Sequence, residues 1–188
     1  MTEAWHVLGE TAIASRYAWP AQRWKRLSMV IGSDGGHTGP DGTSHSMTSE
    51  HDRWLVRAIR RDAQTVIVGA ASVRSEGWFL PPEGSLHVIS RSASLPAHCP
   101  DPSRVHLSTW TALDAQTQHR TRVLCEGGAR VAHELAEQNF FDELCLTFPL
   151  TPEDPILPAW LHGDAVWTCV SDIQDTTHRF TIWRRGNE

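Results

Sequence analysis

Apolar positions along the chain fall into short runs rich in β-branched residues, separated by stretches with helical spacing. Residues 5–24 form an aromatic-dotted lead-in closed by Pro20 and Arg23-Trp24-Lys25. Arg26 to Gly32 (RLSMVIG) reads as a strand ending at Ser33-Asp34-Gly35-Gly36, and a loop rich in Gly, Thr, Ser and His runs from His37 to Met47. Trp54, Leu55, Ala58 and Ile59 recur at the spacing of one helical face. Ser49 with Asp52 three residues on suits a capping box. Glu50 and Asp52 lie in the first turn and Arg57, Arg60 and Arg61 in the last, matching the macrodipole.

Thr65 to Val68 is a short apolar run bounded by Gly69 and suits a strand buried on both faces. Leu86 to Ser90 reads likewise, with loop beyond at Pro96 and Pro100 to Pro102. Arg122 to Cys125 forms another strand, running into Glu126-Gly127-Gly128. Ala129 to Asn139 then places Val131, Ala132, Leu135 and Ala136 on one helical face. Glu143 to Leu150 alternates as a strand before a proline-rich loop from Pro149 to Pro158. Val166 to Val170 and Phe180 to Trp183 read as terminal antiparallel strands. Strands alternating with helices predict a single three-layer α/β domain over 1–188, its sheet mixed but mostly parallel with antiparallel C-terminal edge strands.

Seventeen Lys/Arg against 22 Asp/Glu give 188 residues a formal charge of −5, and the pI is near 6.1. That balance disfavours a nucleic-acid binder, which relies on neutralising phosphates. No apolar run reaches a membrane span, and the first residues lack a basic and an apolar region, so a cytoplasmic protein is expected. Cys99, Cys125, Cys145 and Cys169 have no C-x-x-C spacing and read as buried thiols of a reducing compartment. His37, His45 and His51 read as polar surface, so no metal is expected. Trp54 is assigned to the core, Trp167 and Trp183 to core or interface, and Trp78 to a pocket wall.

In open α/β sheets ligands gather beyond the carboxyl ends of the parallel strands. Three such ends carry small residues that let backbone approach a ligand: Ser33 to Gly36, Gly69-Ala70-Ala71-Ser72, and Glu126-Gly127-Gly128. A carboxylate such as Glu126 at the rim of a core is costly without a task. No G-x-G-x-x-G, G-x-x-x-x-G-K-[ST], G-x-S-x-G or H-E-x-x-H occurs, which disfavours a standard dinucleotide fingerprint, a P-loop, a serine-hydrolase elbow and a zincin.

The stretches SMVIGSDGG (28–36), MTSEHDRWLVRAIRRDAQTVIVGAASVRSEGW (47–78), VISRSASLP (88–96) and VLCEGGARVAHELAEQNFFDELCLTFPL (123–150) resemble the riboflavin-biosynthesis pyrimidine reductase family, whose domain has the dihydrofolate reductase fold. The resemblance implies reduction of a ribosylamino-pyrimidine by NADPH and a homodimer. Carried over by position, Asp34 and Thr48 line the substrate pocket and Glu126 serves the reacting end; Asp34 and Glu126 are the catalytic candidates, and Glu76 and Trp78, just past the second turn, are assigned to the substrate beside them. Arg60 binds the substrate phosphate, a role that suits a guanidinium. Gly69, Ala70 and Ser72 approach the cofactor or substrate, Ser90 and Arg91 hold the adenosine end of NADPH, and Gly127 and Gly128 cradle the pyrophosphate.

The chain departs from that pattern in three places. Gly36 stands where many members carry Lys, Glu76-Gly77-Trp78 leads quickly into Leu86, and Arg104 to Arg122 is shorter than the insert of two strands and one helix expected there. These departures support a second reading: a non-redox small-molecule-binding protein or a cofactor-free enzyme, with Trp110 or Trp78 filling the adenosine-side groove. A pure dimerisation module fits poorly, because charged groups cluster at strand ends rather than on a flat apolar face.

Overall fold

The computed structural model describes residues 2–151, 153–161 and 165–186; of the expected proline-rich loop, Pro152 lies outside them, as does Met1 of the expected domain's start. Nine strands form one sheet: β1 (Glu3–Ala4), β2 (Trp24–Val30), β3 (Thr65–Gly69), β4 (Ser85–Ile89), β5 (Val105–Ser108), β6 (Arg122–Cys125), β7 (Glu143–Pro149), β8 (Trp167–Gln174) and β9 (His178–Arg185). Their spatial order is β1-β8-β9-β7-β2-β6-β3-β4-β5. β9 is antiparallel to both β7 and β8, and every other pairing is parallel. The helices are α1 (Trp5–Arg16), α2 (Glu50–Arg61), α3 (Ala70–Glu76), α4 (Trp110–Thr117) and α5 (Ala129–Glu137). None is long and apolar enough to cross a membrane among the described residues.

Strand periodicity divides the core in two, because successive side chains leave opposite faces of a sheet. Val66, Val68, Leu86, Val88 and Leu124 pack with Ile13 of α1 and Tyr17 just after it, Leu55 and Ile59 of α2, and Val73 of α3. Ile67, Ile89, Val123, Cys125 and Leu27 pack on the other side with Leu113 of α4 and Val131, Ala132 and Leu135 of α5. The result is a helix–sheet–helix sandwich.

The expected lead-in is instead an edge strand and a helix. α1 breaks at Gly9, which takes φ 73° and ψ 159°, a left-handed conformation cheap only for glycine. That break disrupts the apolar periodicity by which a helix is read. α1 is tied down by Arg26, whose side chain is fully buried with Glu143 at 2.6 Å and donates through Nη1 to the Tyr17 carbonyl at 2.8 Å. The stretch after Arg104 likewise holds a strand and a helix, β5 and α4, where no element was expected. In β5 two of four side chains are exposed, and α4 has no clear apolar stripe.

Two thiols are buried as expected, Cys125 and Cys145, and burial pushes the Cys125 thiol up to about 12. Cys169, expected to be buried, is exposed, and Cys99 is half-buried. The reason is position: β1 covers β8 only at Ile173 and Gln174, so the first half of β8 is an open edge.

Candidate active site

The carboxyl ends of β2, β3, β4 and β6 open into one cleft of about 1230 Å³. Two of the three strand-end turns interlock there. The Gly69 amide donates to the Gly127 carbonyl at 2.7 Å, and a Cβ on Gly69 would stand 3.1 Å from Val131 Cγ2 and 3.4 Å from the Gly128 nitrogen. Gly69 is therefore small for a packing reason, which brings the turns after β3 and β6 together. Gly127 is buried at φ 89° against Met29, and the Gly127–Gly128 peptide is cis.

Thr48, Arg60, Gly69, Ala70, Ser72, Glu76, Ser90, Arg91, Glu126 and Gly128 all line the cleft. Three residues assigned to it from sequence do not. Asp34 is an exposed turn former whose Oδ1 accepts from the Gly36 amide at 2.8 Å. Trp78 packs against the core and donates through Nε1 to the Ala97 carbonyl at 2.7 Å. Gly127 has its carbonyl committed to Gly69, so Gly128 alone of that pair faces the cleft.

Arg60 and Glu126 are bound to each other in the cleft. They form a two-pronged ion pair, Nε to Oε1 at 2.9 Å and Nη2 to Oε2 at 2.6 Å, and the guanidinium lies 4.0 Å over the Phe79 ring. That edge of Arg60 is not open to a phosphate. Glu76 accepts from the Ser44 amide at 2.9 Å, holding the loop over the cleft. Thr48 donates to the His45 carbonyl at 3.0 Å and accepts from Arg53 at 3.1 Å.

The structure adds a residue that the sequence reading treated as a cap. Ser49 does accept from the Asp52 amide, at 3.1 Å, but the Asp52 side chain turns inward to the cleft floor and is 5% exposed. Its Oδ1 accepts from Thr147 Oγ1 of β7 at 2.6 Å, and Oδ2 makes no hydrogen bond among the described residues. Burial pushes this carboxyl above the usual aspartate range, against the Thr147 hydrogen bond and the charges of His178 and Arg53. The signal in the sequence was its spacing: Asp52 shares a helical face with Leu55 and Ile59, at i+3 and i+7.

The cleft is cationic although the chain is acidic. Arg53, Arg57 and Arg60 recur along one face of α2, and Arg74, Arg91 and Arg130 join them from the other walls. Arg57, Arg74 and Arg91 make no side-chain hydrogen bond or ion pair among the described residues. Gly128 caps α5 without a side-chain acceptor, so the first-turn N–H groups beside Arg130 remain open to an anion. Ser90 and Ser92 share a hydroxyl contact of 3.0 Å on either side of Arg91. Trp110, from the start of α4, stands in the wall.

No family model matches the chain, and no curated protein matches it in sequence. Solved structures do match in fold. A pyrimidine reductase-like protein from Corynebacterium diphtheriae superposes with a TM-score of 0.67 at 17% identity, over 88% of this chain and 93% of that one. A diaminohydroxyphosphoribosylaminopyrimidine deaminase/5-amino-6-(5-phosphoribosylamino)uracil reductase from Thermotoga maritima gives 0.66 at 15%, over 88% of this chain and 57% of its own length. Dihydrofolate reductase from Enterococcus faecalis, solved with NADP(H), gives 0.60 at 15%, over 87% and 97%. The fold is thus the dihydrofolate reductase-like one of the pyrimidine reductases.

Proposed function

We propose that the protein is an NADPH-dependent reductase of a phosphorylated aminopyrimidine riboside or a related C=N or C=O compound. One observation carries this reading: Asp52, a buried carboxyl that resists ionisation, faces the same cleft as the open start of α5 and the unpaired arginines. The donor set fits the cofactor. Gly128, the first-turn amides of α5 and Arg130 suit its pyrophosphate, and Arg91 with Ser90 and Ser92 suits the 2′-phosphate.

Bound there, NADPH supplies a hydride for the unsaturated carbon of the substrate. The chain's own groups manage the rest. Asp52, fixed through Oδ1 by Thr147, has Oδ2 free to hand a proton to the nitrogen or oxygen that gains the bonding pair. Arg57 and Arg74 take the substrate phosphate, because the Nε edge of Arg60 is committed to Glu126. Gly69 and Ala70 offer backbone without bulk where two ligands must lie side by side.

The test is to mix the protein with NADPH and 5-amino-6-(5-phosphoribosylamino)uracil, following cofactor absorbance and the sugar product. Oxidation of NADPH with formation of the open-chain ribityl compound supports the reading; unchanged absorbance with this and related aminopyrimidines contradicts it. A second reading, ligand binding without redox chemistry, is favoured by the Arg60–Glu126 pair, which closes a charge that a reductase substrate would use. Saturable binding of the pyrimidine with no turnover is its signature.

A further inference from the structure

A second hollow, of about 350 Å³, lies between β4, β5 and the end of α4, away from the cleft described above. β4 and β5 run parallel with His87 directly beside His106, and the two ring centres are 5.0 Å apart. His87 is 5% exposed, and its Nδ1 meets the buried Ser108 hydroxyl at 2.9 Å. Burial above all, and next the charge of His106, holds the His87 ring down to about 4, so it is neutral near pH 7. The Gln116 side chain hydrogen-bonds the same ring, so both polar partners of the buried imidazole come from the chain itself.

The remaining polar lining is Ser85, His106, Gln116 and Arg120. Arg120 is exposed, and its guanidinium has no partner among the described residues. No carboxylate lines the hollow. Ser108 and Gln116 satisfy the buried imidazole, which leaves His106 and Arg120 to face whatever enters the hollow. Two imidazoles on one zinc ion, at Zn–N of about 2.0–2.1 Å, also place their ring centres roughly 5 Å apart. Arg120 decides between the two: it repels a cation and attracts an anion.

We propose that this hollow binds a small oxyanion of phosphate size, held by Arg120, His106 and the Gln116 amide beside the His87 ring. The shared chemistry is a tetrahedral phosphoryl group, whether as the free ion or on a small ester. Because α4 runs from Trp110 in the cleft wall to Gln116 here, the site stands at the far end of a cleft element.

The experiment follows the ring C–H signals of His87 and His106 by NMR, assigned with His87→Gln and His106→Gln, during titration with inorganic phosphate. Saturable movement of both signals is expected in the unaltered protein and in Arg91→Gln, a change confined to the main cleft. Arg120→Gln, at an exposed position, should weaken the response at least tenfold. A glycerol phosphate arm sets the source: tighter binding than phosphate assigns an ester, weaker binding the free ion, and either supports the site. Still signals, equal affinity in Arg120→Gln, or movement with zinc chloride but not with phosphate would overturn it.

Discussion

Arg60 of α2 and Glu126 at the end of β6 meet as a two-pronged ion pair with both contacts under 3 Å. Their side chains are 23% and 10% exposed, so solvent screens the pair only in part. Removing either partner strands a charge at the rim of the core, and a cost of about 1–3 kcal/mol is expected, below that of a fully buried pair. Arg60→Met and Glu126→Met should each lower the urea midpoint, while the double variant recovers most of the loss. Strict additivity of the two losses would show that the pair is not coupled.

Asp52 supplies the second prediction. Asp52→Asn keeps the shape but removes the proton donor, so kcat should fall by about 10²–10⁴. Stability should move the other way. Burial raises the folded-state pKa, so the neutral form's contribution is complete below the unfolded value and is lost as pH rises through the folded one. Asp52→Asn should therefore gain on the unaltered protein in thermal melts as pH rises from acid to neutral. A melting temperature of the variant that falls relative to the unaltered protein over that range would contradict the buried assignment.

Arg26 provides a test of the fold. Its guanidinium ties Tyr17 at the end of α1 to Glu143 of β7. Arg26→Met should cost about 3 kcal/mol, the low end for breaking a buried pair, because Arg184 still contacts Glu143 at 3.0 Å. Hydrogen exchange should show α1 opening first. Unchanged protection in α1 would mean that the ion pair does not anchor it.

Much of this was legible in the sequence where patterning and packing agree. β3, β6 and α5 read cleanly because β3 and β6 are buried between two helical layers and α5 buries one continuous stripe. The turns after β3 and β6 do meet, although for Gly69 the reason is the approach of Gly128 and Val131 rather than a ligand alone. Elements at the periphery were harder: α1 is interrupted at Gly9, and β5 and α4 carry too few buried positions to impose a period. Asp34 and Trp78 illustrate a different gap: Asp34 spends its carboxylate on its own turn, and Trp78 gives its N–H to the distant Ala97 carbonyl. Asp52 was hidden by a correct local reading, the cap at Ser49, which says nothing about where the carboxyl points.

Calorimetric titration of the protein and of Arg91→Ala with NADPH and NADH tests the proposal that Arg91 and the open start of α5 hold the cofactor in the cleft. A lost charge-assisted contact of about 1.5–3 kcal/mol corresponds to roughly 10–100-fold in affinity. NADPH should bind the unaltered protein, and Arg91→Ala should lose that factor for NADPH while leaving NADH unchanged. No heat with NADPH, or an equal loss for both dinucleotides, would contradict it.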